Sequence, residues 1–184
     1  MSKIWICSDW HFCHDKSFLY EPRGFKSTGE MNEAIIQHHN ELVAPDDIVY
    51  HLGDEIMSDL DGGIRCLRRL NGQIHLIRGN HSTDTKLKAT IESCPNVVDA
   101  GKWADMLKYH KYTFYLSHYP TLCANNDADK PLSRCVINLC GHTHTQDRFL
   151  DMDRGLIYHC EMDVNNCYPI LLDDIIEDIK NLKK

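Results

Sequence analysis

The sequence predicts an α/β domain in which a layered, mixed β-sheet is flanked by helices. Three observations carry that expectation. Short apolar runs alternate with segments of helical periodicity through the first half of the chain. The first three runs are continuous rather than alternating, as strands covered on both faces are. The later runs follow one another closely, as hairpin-like strands do. At 184 residues the chain fits one domain, 1–184. A domain of that size buries roughly 70% of the surface its unfolded chain exposes, so it needs neither disulfides nor a structural metal to fold.

Lys3–Ser8 is the first strand. A single Lys before a short apolar run that breaks at Ser8-Asp9 lacks the long apolar stretch and cleavage site of a secretory signal. Ser27-Thr28-Gly29-Glu30 offers a capping box. From there Met31, Ala34, Ile35, His38 and Leu42 recur at helical spacing, with Pro45 just beyond. Asp47–Leu52 is the second strand. Leu60, Ile64 and Leu67 form another helical stripe, weakened by Gly62-Gly63 and stopped by Asn71-Gly72. Strands at Gln73–Arg78, Tyr112–Ser117 and Arg134–Cys140 follow, with weaker ones near Leu156–His159 and Pro169–Leu171. Asp151 and Asp153 read as a solvated hairpin tip. A helix over Asp173–Leu182 closes the chain, acidic at its start and basic at its end as the helix dipole favours.

No apolar run approaches the ~18 to 20 residues of a membrane span. Nine cysteines are scattered without a CxxC, which excludes a zinc ribbon or a thioredoxin-like motif. They read as small core hydrophobes of a reducing compartment, the cytoplasm. The net charge of −7 argues against stable binding to long nucleic acid. A small phosphorylated substrate stays open, because bound cations reverse the local field.

Five segments place polar groups directly after apolar strands: Ser8-Asp9-Trp10-His11, Gly53-Asp54, Gly79-Asn80-His81, Ser117-His118 and Gly141-His142-Thr143-His144. In open α/β sheets the loops at the carboxyl ends of strands bind ligands. Asp9 and His11, and His142 and His144, are two apart, a spacing that aims both side chains to one side of an extended segment. The glycines let the backbone turn sharply and leave room for a ligand. Carboxylate, imidazole and amide oxygen together suit Mn, Fe or Zn, and the lack of Cys ligands argues against a purely structural zinc. Seven ligands exceed the needs of one tetrahedral ion and suffice for two that share a carboxylate. Such a pair lowers the pKa of bound water towards ~7 and clamps attacking and leaving oxygens. No GxSxG elbow, P-loop or GxGxxG is present.

The order DxH, GD, GNH, H, GHTH resembles the calcineurin-like metallophosphoesterases from Asp9 to His144. The flanks Ser8–Phe12, Glu30–Glu33, Tyr50–Asp54 and Met162–Asn165 are similar to its short bacterial and phage members. The resemblance implies that Asp9, His11 and His144 hold one metal and that Asn80, His118 and His142 hold the other, with Asp54 bridging. It implies His81 as general acid or electrostatic partner of the leaving group, although Ser82 stands where the family usually has an acidic residue. It further implies two divalent ions, Mn foremost and Fe, Zn or Ni as other fits. The reaction expected is hydrolysis of a phosphodiester, nucleotide-like, through a metal-bridging hydroxide. A phosphomonoesterase or protein phosphatase is the alternative within the class. A non-catalytic interaction module on the same fold is the alternative outside it, disfavoured by the intact motif set. His14 and Arg23 are candidates to meet a substrate phosphate, Arg23 otherwise lying on the surface. His51 reads as a hydrogen-bonded core residue and Asn165 as a support from the last strands. His159 carries no role.

Overall fold

The computed structural model describes residues 2–122, 131–151 and 156–182, so that Cys123 and Asp153 lie outside the described residues. In chain order the elements are β1 (Ile4–Cys7), α1 (Ser17–Tyr20), α2 (Thr28–Leu42), β2 (Ile48–His51), α3 (Leu60–Leu67), β3 (Gln73–Ile77), α4 (Asp84–Ser93), β4 (Val97–Lys102), β5 (Ala104–Tyr109), β6 (Tyr112–Ser117), β7 (Val136–Cys140), β8 (Ile157–His159), β9 (Ile170–Leu171) and α5 (Leu172–Leu182).

The strands form two sheets where the sequence suggested one. The first has the order β4-β3-β2-β1-β9, parallel except for the antiparallel β9; the second is β5-β6-β7-β8, with only β5 antiparallel. The split falls at Trp103, between β4 and β5. These two strands, and α4 before them, had no sequence signal because they lie at sheet margins with few buried apolar residues. Only Val97 of β4 is buried, and α4 buries only Leu87 and Thr90.

Alternation along β1 divides the core. Trp5 and Cys7, with Val49, Ile74 and Leu76, pack against Met31, Ile35 and Ile36 of α2 and Cys66 and Leu67 of α3. Ile6 and Ile77 turn the other way, towards Phe114, Leu116, Ile137 and Leu139 of the second sheet and Ile175, Ile176 and Ile179 of α5. Helix α2 begins with half of its capping box: Ser27 Oγ accepts from Glu30 N at 3.2 Å, while Glu30 Oε2 accepts from Lys26 N at 2.8 Å, one residue before the N-cap N–H that a full box would use. All described cysteines are free thiols, and all but Cys13 are buried. Among the described residues no helix is long and apolar enough to cross a membrane.

Asp47 ties the start of β2 to its surroundings. Its carboxylate accepts from Lys3 N at 2.8 Å, Trp5 Nε1 at 2.9 Å and Ala44 N at 3.0 Å. Burial alone would raise its pKa, but these donors, Lys3 N foremost, hold it below the usual range. A depressed folded-state pKa means stability present above the unfolded value of about 4 and lost as pH falls below it. Asp47→Ala leaves the indole N–H without its partner. It is expected to cost about 3 kcal/mol, read as a lower urea midpoint at unchanged slope, with the wild-type advantage shrinking as pH falls below about 4.

Candidate metal centre

The C-terminal ends of five strands, β1, β2 and β3 of one sheet and β6 and β7 of the other, deliver the polar segments to one end of the molecule. The loops after β1 and β2 continue side by side past the sheet: Asp9 N donates to Gly53 O, His11 N to Asp54 O and Phe12 N to Glu55 O, each at 3.0 Å. Gly141 N donates to His118 O at 3.0 Å, joining the loops after β7 and β6.

The local backbone is not extended, contrary to the expectation for the two-apart pairs. Asp9, His11, Asp54, His142 and His144 all have positive φ, between 49° and 78°. They are five of the nine non-glycine residues with positive φ among the described residues. Such residues are uncommon and cluster where function holds them. The same-side placement therefore comes from repeated left-handed turns. The glycines also divide by role. Gly53 has φ +104° and sits so close to Gly79 that a Cβ would fall 2.8 Å from its Cα. Gly141 has no such φ; a Cβ there would strike Ser8 and the Asp9 carboxylate.

Two groups of potential ligand atoms result, Asp9 with His11 and His144, and Asp9 with Asp54 and His118. Asp9 is fully buried. Its Oδ2 accepts from His142 N at 2.9 Å, while Oδ1 has no hydrogen-bond partner and lies 3.4 Å from His11 Nε2 and 3.8 Å from His144 Nε2. Asp54 Oδ1 accepts from His81 N at 2.8 Å. Its Oδ2 faces His118 Nε2 at 3.5 Å and His11 Nε2 at 4.0 Å. His11 Nε2 and His144 Nε2 are 3.1 Å apart. Asn80 Oδ1 lies 2.8 Å from His118 Nε2. The His142 ring packs against His118 and Tyr119, with centroids 4.9 and 4.7 Å away.

These contacts fit divalent cations. His118 Nδ1 lies 2.9 Å from the Leu52 carbonyl, an acceptor only, so Nδ1 carries the proton. In a neutral ring Nε2 then presents a lone pair to the oxygens of Asn80 and Asp54, which present lone pairs back. The orphaned, buried Asp9 Oδ1 makes the same demand. Burial lowers the pKa of His11 and of His142, which favours the neutral, ligating form. Asp9 is held well below the usual carboxylate range: burial opposes this, and the close approach of the His11 ring, with His118 and His144 nearby, outweighs it.

Of the two substrate-facing candidates, His14 lines the cleft beside the cluster, its ring 5.4 Å from that of His11. Burial first, then the neighbouring histidines, push its pKa down to about 4. Arg23 is neither on the surface nor free to meet a phosphate. Its side chain is 1% exposed. Nε donates to Asp163 Oδ1 at 3.1 Å and Nη2 to Asp163 Oδ2 at 2.8 Å, while Nη2 also donates to Asp9 O at 3.0 Å.

Asp163 is the residue that motif reading passed over. Its Oδ2 is 3.0 Å from His144 Nδ1, a carboxylate behind a histidine whose other nitrogen faces the cluster. Burial would raise its pKa, but His144 and Arg23 bring it down to about 2. Glu161 and His159 were likewise passed over. Thr143, between the two histidines of its loop, donates from N at 3.2 Å and Oγ1 at 2.7 Å to Glu161 Oε1, and His159 Nδ1 lies 3.1 Å from the same oxygen. His159 Nε2 is 3.2 Å from Asp151, which is therefore engaged rather than a purely solvated tip. Position 163 lay in a flanking stretch of the resemblance, the one signal that could have raised it; no local signal marked 159 or 161. His51 is buried as expected, stacked on Trp10 at 3.9 Å with Nε2 3.4 Å from Trp10 N. Asn165 points elsewhere, accepting from Arg148 at 2.6 Å.

Paired histidines and carboxylates at the carboxyl ends of parallel strands define a metal-ligating α/β protein. Residues 2–158 match the model of the calcineurin-like phosphoesterase superfamily domain, and the chain belongs to that superfamily. That makes it a hydrolase acting on phosphate esters. An uncharacterized protein of Methanocaldococcus jannaschii is 31% identical over 189 residues, spanning 100% of this chain and 94% of that one. A protein of unknown function from Aquifex aeolicus superposes with a TM-score of 0.72 at 22% identity, over 96% of this chain and 99% of that. An archaeal phosphodiesterase superposes with a TM-score of 0.51 at 20% identity, over 89% and 86% of the two chains. Both structural likenesses speak for the fold.

Proposed function

We propose that the chain, as one domain over 1–184, is a cytoplasmic phosphodiesterase that works with two divalent ions on a nucleotide-like substrate. Asp9, His11 and His144 hold one ion; Asn80, His118 and His142 hold the other; Asp54 is shared. The observation that carries this reading is Asp54 Oδ2, which faces His11 on one side and His118 on the other while Oδ1 is engaged by His81 N. Asp9 is common to both ligand groups, but its free oxygen Oδ1 faces His11 and His144, both ligands of the first ion, whereas that of Asp54 faces one histidine of each ion. Manganese suits this oxygen and nitrogen set best, and Fe, Zn or Ni are also accommodated. When bound, the ions supply Lewis acidity and a water of lowered pKa. The protein's own groups do the rest. His14 lies where it can meet a phosphate oxygen, and His81, exposed at the cleft, where it can donate a proton to the departing oxygen.

The test is turnover of phosphodiesters, phosphomonoesters and cyclic nucleotides with Mn, Ni, Zn, Fe or Mg added to metal-stripped protein, beside a metal count. Two ions per chain and diesters cleaved faster than monoesters are expected. One ion per chain, or a monoester preference, overturns the corresponding half.

Asp163 behind His144 gives a further expectation. Outer carboxylates that orient a ligating histidine typically contribute 10- to 100-fold in metal affinity. Asp163→Asn should weaken Mn binding by about that factor in equilibrium titration while the second ion, far from Asp163 in the ligand set, binds nearly as before.

A further inference from the structure

Beside the ligand cluster lies a cleft of about 460 Å³ onto which His11, His14, His81 and His144 open. Its far wall is apolar, made by Phe18, Leu19, Pro22 and Met57. Phe18 is 71% exposed and stands edge-on to the His14 ring with centroids 5.5 Å apart. Leu19 below it is 5% exposed and anchors the short helix α1 in the core. Thus Phe18 is held out over the cleft by a buried neighbour.

The charge of the cleft is equally informative. Among the described residues no Lys or Arg lines it, and Asp163 and Gln146 are the remaining polar walls. The nearby cations are engaged elsewhere. Arg23 is paired with Asp163. Lys86 Nζ donates to Ile56 O at 2.9 Å and His81 O at 3.0 Å. Among the described residues, a second phosphate entering here would meet no free Lys or Arg.

We infer that this cleft is the leaving-group subsite, and that it takes an alcohol carrying a flat, uncharged aromatic ring and no second phosphate. The inference rests on the phosphoesterase reading above and adds which side of the phosphorus the aromatic group occupies. His81 opens onto this cleft, so the oxygen it protonates belongs to the group bound here. Phe18 offers the ring a face or edge, Met57 a polarizable contact, and Gln146 a donor and acceptor for a polar ring edge. A nucleoside and a simple aryl-alkyl alcohol share this chemistry.

The test uses methyl phosphodiesters of 2-naphthylethanol, adenosine (through its 5′ oxygen) and n-butanol, whose leaving alkoxides are of comparable basicity, with the Mn-loaded full chain. Stacking contributions of aromatic rings predict kcat/KM about tenfold or more higher for the two aromatic esters than for the butyl ester. In Phe18→Ala the aromatic-to-butyl ratio should collapse towards one. Preference for the naphthyl ester alone would assign an aryl-alkyl alcohol, and preference for the adenosine ester alone a nucleoside. Adding a 3′-phosphate to the adenosine ester should lower its kcat/KM. Equal kcat/KM for all three esters, or an unchanged ratio in Phe18→Ala, overturns the inference while leaving phosphodiester hydrolysis intact. If none of the esters is cleaved, the phosphoesterase reading fails. Titration with the free alcohols then decides the cleft: tighter binding of naphthylethanol than butanol, lost in Phe18→Ala, upholds an aromatic subsite, and equal binding ends it.

Discussion

Asp54→Ala is expected to empty the metal centre and to lower kcat for a phosphodiester by roughly 10⁴ or more, since most of the rate enhancement of such a hydrolase depends on its ions. The substitution removes the carboxylate oxygen that faces both His11 and His118. It also frees His81 N, which donates to the other Asp54 oxygen. Stability should move differently from activity. Without metal, Asp9 and Asp54 bring two carboxylates into one buried cluster, and removing one relieves their repulsion. The metal-free variant should therefore unfold at or slightly above the wild-type temperature. Saturating Mn should raise the wild-type midpoint by about 10 to 20 °C, from the ~2.7 kcal/mol that each of two ions at a hundred times its Kd supplies to a chain of this size. The variant should gain almost nothing. Paired thermal scans with and without Mn, together with metal analysis, read both effects. Two ions retained per chain, or wild-type turnover in verified metal-free variant, would remove Asp54 from the shared position.

What was legible in the sequence was whatever is written within a few residues. The N-cap at Ser27 and the stripe read at Met31, Ala34, Ile35, His38 and Leu42 are local; the cap stands in the structure, and of the stripe Met31 and Ile35 are buried while Leu42 is exposed and Ile36 takes a core place instead. The polar segments were legible because each abuts a strong apolar strand. What escaped depends on distant partners. Arg23 and Asp163 are 140 residues apart, and neither has a neighbour in sequence that announces the pair. Glu161 acts on Thr143 across 18 residues and would pass in isolation for a surface carboxylate, although it is fully buried. The two-sheet arrangement escaped because β4 and β5 have too few buried side chains to show a period. The left-handed backbone at Asp9, His11, His142 and His144 escaped because residue type seldom signals it: these are positions where the fold overrides local preference.

Ser82 bears on what His81 can do. The hydroxyl donates to Glu55 Oε2 at 2.7 Å and accepts from Gly79 N at 3.1 Å, so it steadies the turn and is turned away from catalysis. Glu55 is itself buried, and that burial raises its pKa even against the Ser82 hydrogen bond. Neither group replaces an acidic partner for the His81 ring. Among the described residues that ring has no hydrogen bond, and it stands edge-on to His11 with centroids 5.9 Å apart.

His81→Ala should separate binding from chemistry. The main-chain N–H that holds Asp54 survives the substitution, so both ions should remain. General acid assistance typically contributes ~10² to 10⁴ in rate. kcat should fall by about that factor for an alkyl diester, whose alkoxide needs a proton as it leaves. A nitrophenyl diester needs little protonation and should lose clearly less. With no carboxylate to orient the ring, its proton transfer depends on the substrate itself fixing the imidazole, which places the loss nearer the lower end of that range. Equal losses on both substrates would show that His81 stabilises charge on the phosphoryl oxygens instead of donating a proton. An unchanged kcat on both would place the ring outside the reaction, and the cleft it opens onto would then belong to the non-leaving side of the ester.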